Sequence, residues 1–139
     1  MRKYEFRAKR GDSNQWLYGY YSKLYDKETN NIEAVISYQH FERADTSFPF
    51  PPVDIINVKV DEETVGQYTG LKDKNGVKIY EGDIIEHTIS GNISVHEVYF
   101  DNEMLEFGLR YSGELFHCQF NDEFELVGNI HDNPELLNK

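Results

Sequence analysis

The side chains of this 139-residue chain best suited to metal or nucleophilic chemistry are His40, His87, His96, His117, His131 and Cys118. No two of the histidines sit at the spacing of a zinc motif. One pair is brought together by strand geometry instead. Gly91-Asn92, flanked by runs of alternating apolar residues, suits a two-residue type II′ turn, and counting outward from it sets His87 opposite His96. Directly opposed side chains on antiparallel strands have Cβ atoms roughly 5 Å apart, close enough to share a metal ion. Metal-assisted hydrolysis is the chemistry open to such a pair. The same register sets Glu86 opposite Glu97, where like charges weaken the pairing. Cross-strand histidines more often stack or face water, so the expectation is no metal and no cofactor, with His87 and His96 as the pair to check.

The remaining candidates have structural explanations. His117 and Cys118 are adjacent, so on a strand they point to opposite faces and cannot act as base and nucleophile; Cys118 is expected to be a buried thiol. Acidic pairs such as Glu81 and Asp83 can be drawn from many positions, and Asp83 after Gly82 reads as turn chemistry. Gly66 to Gly76 lacks the Gly-Lys-Ser/Thr end of a phosphate loop. Arg10-Gly11-Asp12 spells an adhesion tripeptide, which turn formation explains. Trp16, Tyr18, Tyr20 and Tyr21 lie close to a basic start and could stack nucleobases, although packing in a core explains them as well.

Charge narrows the partners. The net charge is −11 and unevenly spread. Residues 1–10 hold five bases against Glu5, whereas residues 81–139 hold thirteen acids against Arg110 and Lys139. Duplex DNA is therefore not an expected partner, because nucleic-acid affinity rests largely on cations that neutralise phosphates. A protein partner, particularly a basic one, suits this layout better, and solubility alone also explains it. No run approaches the roughly 18 apolar residues of a membrane span. Met1-Arg2-Lys3-Tyr4 opens no apolar signal core, so a cytoplasmic protein is expected. The single cysteine permits no internal disulfide.

The elements that must position these residues are strands. Lys3–Ala8 alternates strictly, with Tyr4, Phe6 and Ala8 on one face, and Gln15–Ser22 carries Trp16, Tyr18 and Tyr20 on one side. Asp26–Asn31 is a polar loop, Ile32–Tyr38 a third strand and Ile55–Val60 a fourth. Between the last two, residues 48–52 read Phe-Pro-Phe-Pro-Pro, a stiff connector that cannot donate to a ladder. From Val65 the texture changes to short strands separated by Asn75-Gly76, Glu81-Gly82-Asp83, Gly91-Asn92 and Ser112-Gly113. Strands are expected at 77–80, 84–89, 93–100, 106–111, 114–120 and 124–130, with no long helix. Asn75-Gly76 is the strongest hairpin signal, since both residues tolerate positive φ. The expected class is mostly β: an N-terminal antiparallel region over 1–64, then a small barrel over 65–139.

Four blocks carry a family resemblance. They are Tyr4–Ala8, the run Gln67-Tyr68-Thr69-Gly70-Leu71-Lys72-Asp73-Lys74-Asn75-Gly76, then Ile79-Tyr80-Glu81-Gly82-Asp83-Ile84-Ile85, and finally Leu126-Val127-Gly128-Asn129-Ile130-His131-Asp132-Asn133-Pro134-Glu135-Leu136. In this order they resemble the YopX family. The resemblance implies a protein of bacteriophages or prophages, mainly of Gram-positive bacteria, and an SH3-like barrel beginning near Val65. It implies no activity. The expected function is a non-catalytic protein-binding accessory module. A metal-assisted hydrolase using His87 and His96, and a nucleic-acid binder using the basic aromatic N-terminal face, stand as the alternatives. Residues 1–10 pair an unguarded strand edge with a charge opposite to that of the C-terminal half, so a homo-oligomer through residues 1–10 is also expected.

Overall fold

The computed structural model describes residues 5–41, 53–89, 91–103, 105–111, 114–116 and 123–137. They form two compact units, Tyr4–Val65 and the chain from Gly66 onward. The chain is mostly β; among the described residues only two short 3-10 turns are helical, and no helix is long and apolar enough to cross a membrane. The Pro-rich segment 48–52, His117 and Cys118 lie outside the described residues.

In the N-terminal unit, β1 (Phe6–Lys9), β2 (Trp16–Asp26), β3 (Asn31–Phe41) and β4 (Val53–Lys59) make an antiparallel sheet in the order β4-β3-β2-β1. Alternation decides the faces. The register pairs Ala8 with Leu17 and Tyr21 with Ile36, so these residues share the side on which Ala8, Ile36 and Val60 are buried against Phe6, Leu17, Tyr21, Ala34 and Val65. The 3-10 turn Glu62–Thr64 serves this face: Lys23 Nζ reaches Glu62 at 2.6 Å, and the Tyr21 hydroxyl donates to the same carboxylate at 3.4 Å. β2 runs past Ser22, where its alternating pattern fades, to Asp26. Pairing explains the extension, because Lys23 lies opposite Ala34, Tyr25 opposite Ile32, and Lys59 Nζ bonds Asp26 at 3.0 Å. The turn after β2 closes on Asn30 at φ 58, a conformation that asparagine tolerates.

The Lys9 N–H donates to Thr64 Oγ1 at 2.8 Å, the Lys9 carbonyl accepts from Asp61 N–H at 2.9 Å, and Arg10 bridges Val60.

The C-terminal unit holds β5 (Gly66–Lys72), β6 (Lys78–Tyr80), β7 (Asp83–Ile89), β8 (Asn92–Asp101), β9 (Glu106–Tyr111), β10 (Glu114–Phe116) and β11 (Glu125–Asn129). β5 and β6 form a hairpin, and the others form an antiparallel sheet in the order β10-β9-β8-β7-β11. Ile79, Ile85, Val98, Leu109 and Phe124 are its core, with Leu126 packed beside them. Among the described residues β10 and β11 end the sheet without pairing to each other, so no closed barrel is present there.

Buried carboxylates set the turns of this unit. Asp73 is 7% exposed and accepts three backbone N–H bonds: Asn75 and Val77 at 2.9 Å on one oxygen, Leu126 at 3.0 Å on the other. Burial by itself would raise its pKa, but the three donors outweigh burial and hold the carboxyl below the usual range. The hairpin expected at Asn75-Gly76 is present, but its loop does not place both residues at positive φ. Asp73 N–H donates to Val77 O at 2.8 Å and Gly76 N–H to Asp73 O at 3.0 Å, so three residues, 74–76, span the hairpin. Only Gly76 takes positive φ, at 81, because a type I turn followed by one left-handed residue needs glycine only at its last position. Asp83, 1% exposed, accepts from Tyr80 N–H at 2.7 Å across Glu81-Gly82. Its carboxylate reaches back to the strand before the turn rather than forward.

Two outcomes follow from these turns. Gly76→Val puts a β-branched residue at φ 81 with open space around its Cβ, so the cost is backbone strain of about 1–3 kcal/mol. Its thermal midpoint should fall by several degrees while that of Glu103→Gln stays at the wild-type value; equal midpoints remove the hairpin. Asp73→Asn leaves an NH2 facing a backbone N–H and should cost about 1–3 kcal/mol. Because the Asp73 pKa is depressed on folding, its stabilisation is present above the unfolded carboxyl pKa and is lost as pH falls through the folded one. Chemical denaturation from pH 6 to pH 2 should show that acid slope in wild type and a shallower one in Asp73→Asn.

Candidate functional site

The histidine pair is built differently from the sequence expectation. Ile89 pairs with Asn92, so the β7–β8 loop is positions 90 and 91 rather than Gly91-Asn92. Gly91 has φ 82 and takes the second loop position, where the backbone requires the left-handed region. The register therefore sets His87 opposite Ser94, His96 opposite Ile85, Glu86 opposite Val95 and Glu97 opposite Ile84. His87 and His96 still share a face, but as diagonal neighbours, for which Cβ atoms are typically roughly 7–8 Å apart.

That face is the core side of the sheet. The His87 ring lies 4.6 Å from the Phe124 ring, and its Nε2 is 3.6 Å from the Glu123 carboxylate. Burial, with neighbouring His87 adding to it, pulls the His96 imidazole below its ordinary pKa. Among the described residues no three or more His, Cys, Asp or Glu side chains gather as a metal set.

The opposite face of the same sheet carries the acids. Glu86 lies directly opposite Glu125, and Asp101 directly opposite Glu106. Glu97 lies across from Arg110, with the guanidinium 3.8 Å from its carboxylate and 5.1 Å from the Tyr99 ring. Lys74 offsets Glu125 at 3.1 Å. Beside this face, burial pushes the Glu81 carboxyl up, and Glu97 adds to the rise. The sequence shows these acids as a count; only pairing shows that they face each other.

In the N-terminal unit the aromatic residues divide. Tyr18 lies opposite Arg7 and Trp16 opposite Lys9, on the sheet face away from the core, with Tyr20 beside them; Tyr21 lies on the core face, 5.7 Å from Phe6. Arg7 is 6% exposed, its guanidinium 4.6 Å over the Trp16 ring, and Lys9 Nζ is 5.5 Å from that ring. Both cations near the aromatic row are thus held by it. Leu24 and Ile55 extend the exposed row, which the strand pattern of β4 alone did not reveal. Arg10-Gly11-Asp12 is a turn closed by an Arg10–Asp12 ion pair at 2.7 Å, beside a shallow polar hollow of about 420 Å³ that Lys9, Ser13, Asn14 and Asp61 complete.

These features define a class: a mostly β protein of two antiparallel units whose titratable clusters lie on sheet faces, without an assembled catalytic set among the described residues. The chain belongs to the YopX protein family, whose model matches residues 5–138. It is similar over 99% of both chains to the crystal structure of protein EF1440 from Enterococcus faecalis, at 28% identity and a TM-score of 0.61. No curated protein matches it.

The His96 environment fixes a pH dependence. An unfolded imidazole takes its proton near pH 6.5 and the folded one only at lower pH, so the unfolded state binds more protons in that interval and stability falls as pH drops below about 6.5. Denaturant midpoints between pH 7.5 and pH 5 should show this fall in wild type. A His96→Gln variant should lose it; an unchanged slope would locate the titration elsewhere.

Proposed function

We propose that this protein is a non-catalytic, protein-binding accessory module, of phage or prophage origin, whose partner presents a basic surface. The observation that carries this reading is the in-register placement of Glu86 against Glu125 and Asp101 against Glu106 on one sheet face. Like charges placed directly opposite each other on neighbouring strands oppose sheet stability. A surface that keeps them retains something folding does not ask for, and a cationic partner would turn that repulsion into attraction. The same acids disfavour a polyanion, which is why duplex DNA is not the partner. The C-terminal unit is read as an SH3-like module on its short strands and tight turns, a scaffold that binds through its faces and loops rather than by chemistry. Family membership and the match to EF1440 supply no reaction that competes with this reading.

Glu86→Gln with Glu106→Gln tests it in two readouts. Relief of the repulsion should leave the folding stability equal or higher, by about 0.2–1 kcal/mol per pair, while capture of a basic partner from host-cell lysate falls and its salt sensitivity shrinks. A double variant that loses stability but retains its partner overturns the proposal. Stoichiometric metal in the purified protein, lost on replacing His87 and His96, would favour the hydrolase.

A further inference from the structure

One sheet face of the N-terminal unit exposes a row of large side chains around the buried Arg7 and Val35. Tyr18 is 49% exposed, Tyr20 67%, Leu24 41% and Ile55 68%. Tyr18, Tyr20 and Leu24 stand on one side of β2, because side chains two residues apart point the same way. Tyr20 lies opposite Ser37, Ser37 opposite Asn57 with a 2.5 Å bond between their side chains, and Ile55 opposite Gln39, so the row crosses three strands. This is an apolar and aromatic strip with neutral polar groups at its centre.

Charge grades along the strip. Arg7 and Lys9 stand at its Trp16 end, with Glu5 as the neighbouring acid. Asp26 and Glu33 stand at the other end, where Lys59 bridges them at 3.0 and 3.8 Å. We infer that this face packs against the same face of a second copy of the chain, sheet on sheet about a two-fold axis lying in the interface and perpendicular to β2. That axis reverses β2, so the cationic end of one copy lies over the acidic end of the other, and Tyr18, Tyr20, Leu24 and Ile55 of both copies form the centre. A closed isologous contact of this kind needs a patch that complements itself under rotation, and opposite charges at the two ends provide it.

Size agrees with this assignment. An eleven-residue strand spans roughly 30 Å, and three to four strands span roughly 15–20 Å. About 500–600 Å² per copy, or 1,000–1,200 Å² in total, reaches the lower end of specific interfaces. A single-stranded nucleic acid fits less well. Its phosphates would meet Asp26 and Glu33 along the strip. The inference concerns a surface separate from the acidic face of the C-terminal unit, so either can fail alone.

Sedimentation or light scattering of the intact chain across the micromolar range tests it. Wild type should give a dimer mass at the upper concentrations. Tyr20→Glu and Ile55→Glu, both at exposed positions and checked for an unchanged thermal midpoint, should raise the dissociation constant about tenfold or more. Lys9→Glu alone should weaken the dimer, and Lys9→Glu combined with Glu33→Lys should restore it, which sets the head-to-tail orientation. A monomer at every concentration overturns the inference, as does a dimer that Tyr20→Glu leaves intact but that removal of residues 1–10 abolishes. Quenching of Trp16 fluorescence in wild type by a dT oligonucleotide, with no dimer seen, would hand the face to single-stranded nucleic acid.

Discussion

The Asp73 carboxylate is the interaction on which most of the C-terminal unit depends. Its two oxygens accept from Asn75, Val77 and Leu126, so one side chain both shapes the β5–β6 hairpin and fixes where β11 begins. Lys74 N–H adds a bond to Phe124 O at 2.9 Å, next to the largest fully buried side chain of the unit. A charged group so nearly buried is tolerable only when its hydrogen-bonding capacity is filled. That requirement makes the turn specific, because no rearrangement of the hairpin or of β11 keeps all three donors. Once Leu126 is fixed, the β11–β7 register follows, with an irregularity between Leu126 and Gly128, and so does the opposition of Glu125 and Glu86. The opposition of Glu125 and Glu86 is therefore linked to a buried acid that bonds the backbone of the edge strand β11.

The blocks that carry the family resemblance fall on these structural positions. The central block contains Asp73 and Gly76, and the next contains Asp83, whose carboxylate holds Tyr80 N–H. In the last block, Asn129 Oδ1 accepts from His131 and Asp132 N–H at 3.0 and 2.9 Å, and Asn133 Oδ1 accepts from Asn129 N–H at 3.3 Å. Short polar side chains bonding nearby backbone are what tight turns select. The signature is thus largely a description of turns, which is why recognising it points to a fold.

Most strand positions and faces were legible in the sequence because the side-chain period of two is robust, although β5 at Gly66–Lys72 was not among the expected strands; the partner opposite each side chain was not legible. Assigning the β7–β8 loop one residue too late moved every partner by two positions, which preserves faces while changing neighbours. That is why His87 and His96 keep a common face and yet lie diagonally, and why Glu86 meets Glu125 from β11 rather than Glu97 from β8. The small barrel expected over 65–139 came from counting strands and from the family resemblance, and whether such strands close depends on shear and pairing that a count does not contain. The extension of β2 to Asp26 was equally hidden, since Lys59 and Glu62, which hold its charged end, lie more than thirty residues away.

The two exposed faces differ in the way that matters for function. On the C-terminal sheet, acids face acids, with Lys74 beside Glu125 and Arg110 beside Glu97. On the N-terminal sheet, the cations near Trp16 are already held over its ring, and the acids at the far end are already bridged by Lys59. What remains exposed between them is apolar and aromatic, and its gain on binding is removal from water rather than neutralisation. A face of the first kind selects by charge and weakens strongly with salt; a face of the second kind gains mainly from apolar burial, with its end charges setting orientation, and weakens less. Separation of the two along the chain lets each act on a different partner chemistry, and it makes ionic strength the variable that distinguishes which face is engaged.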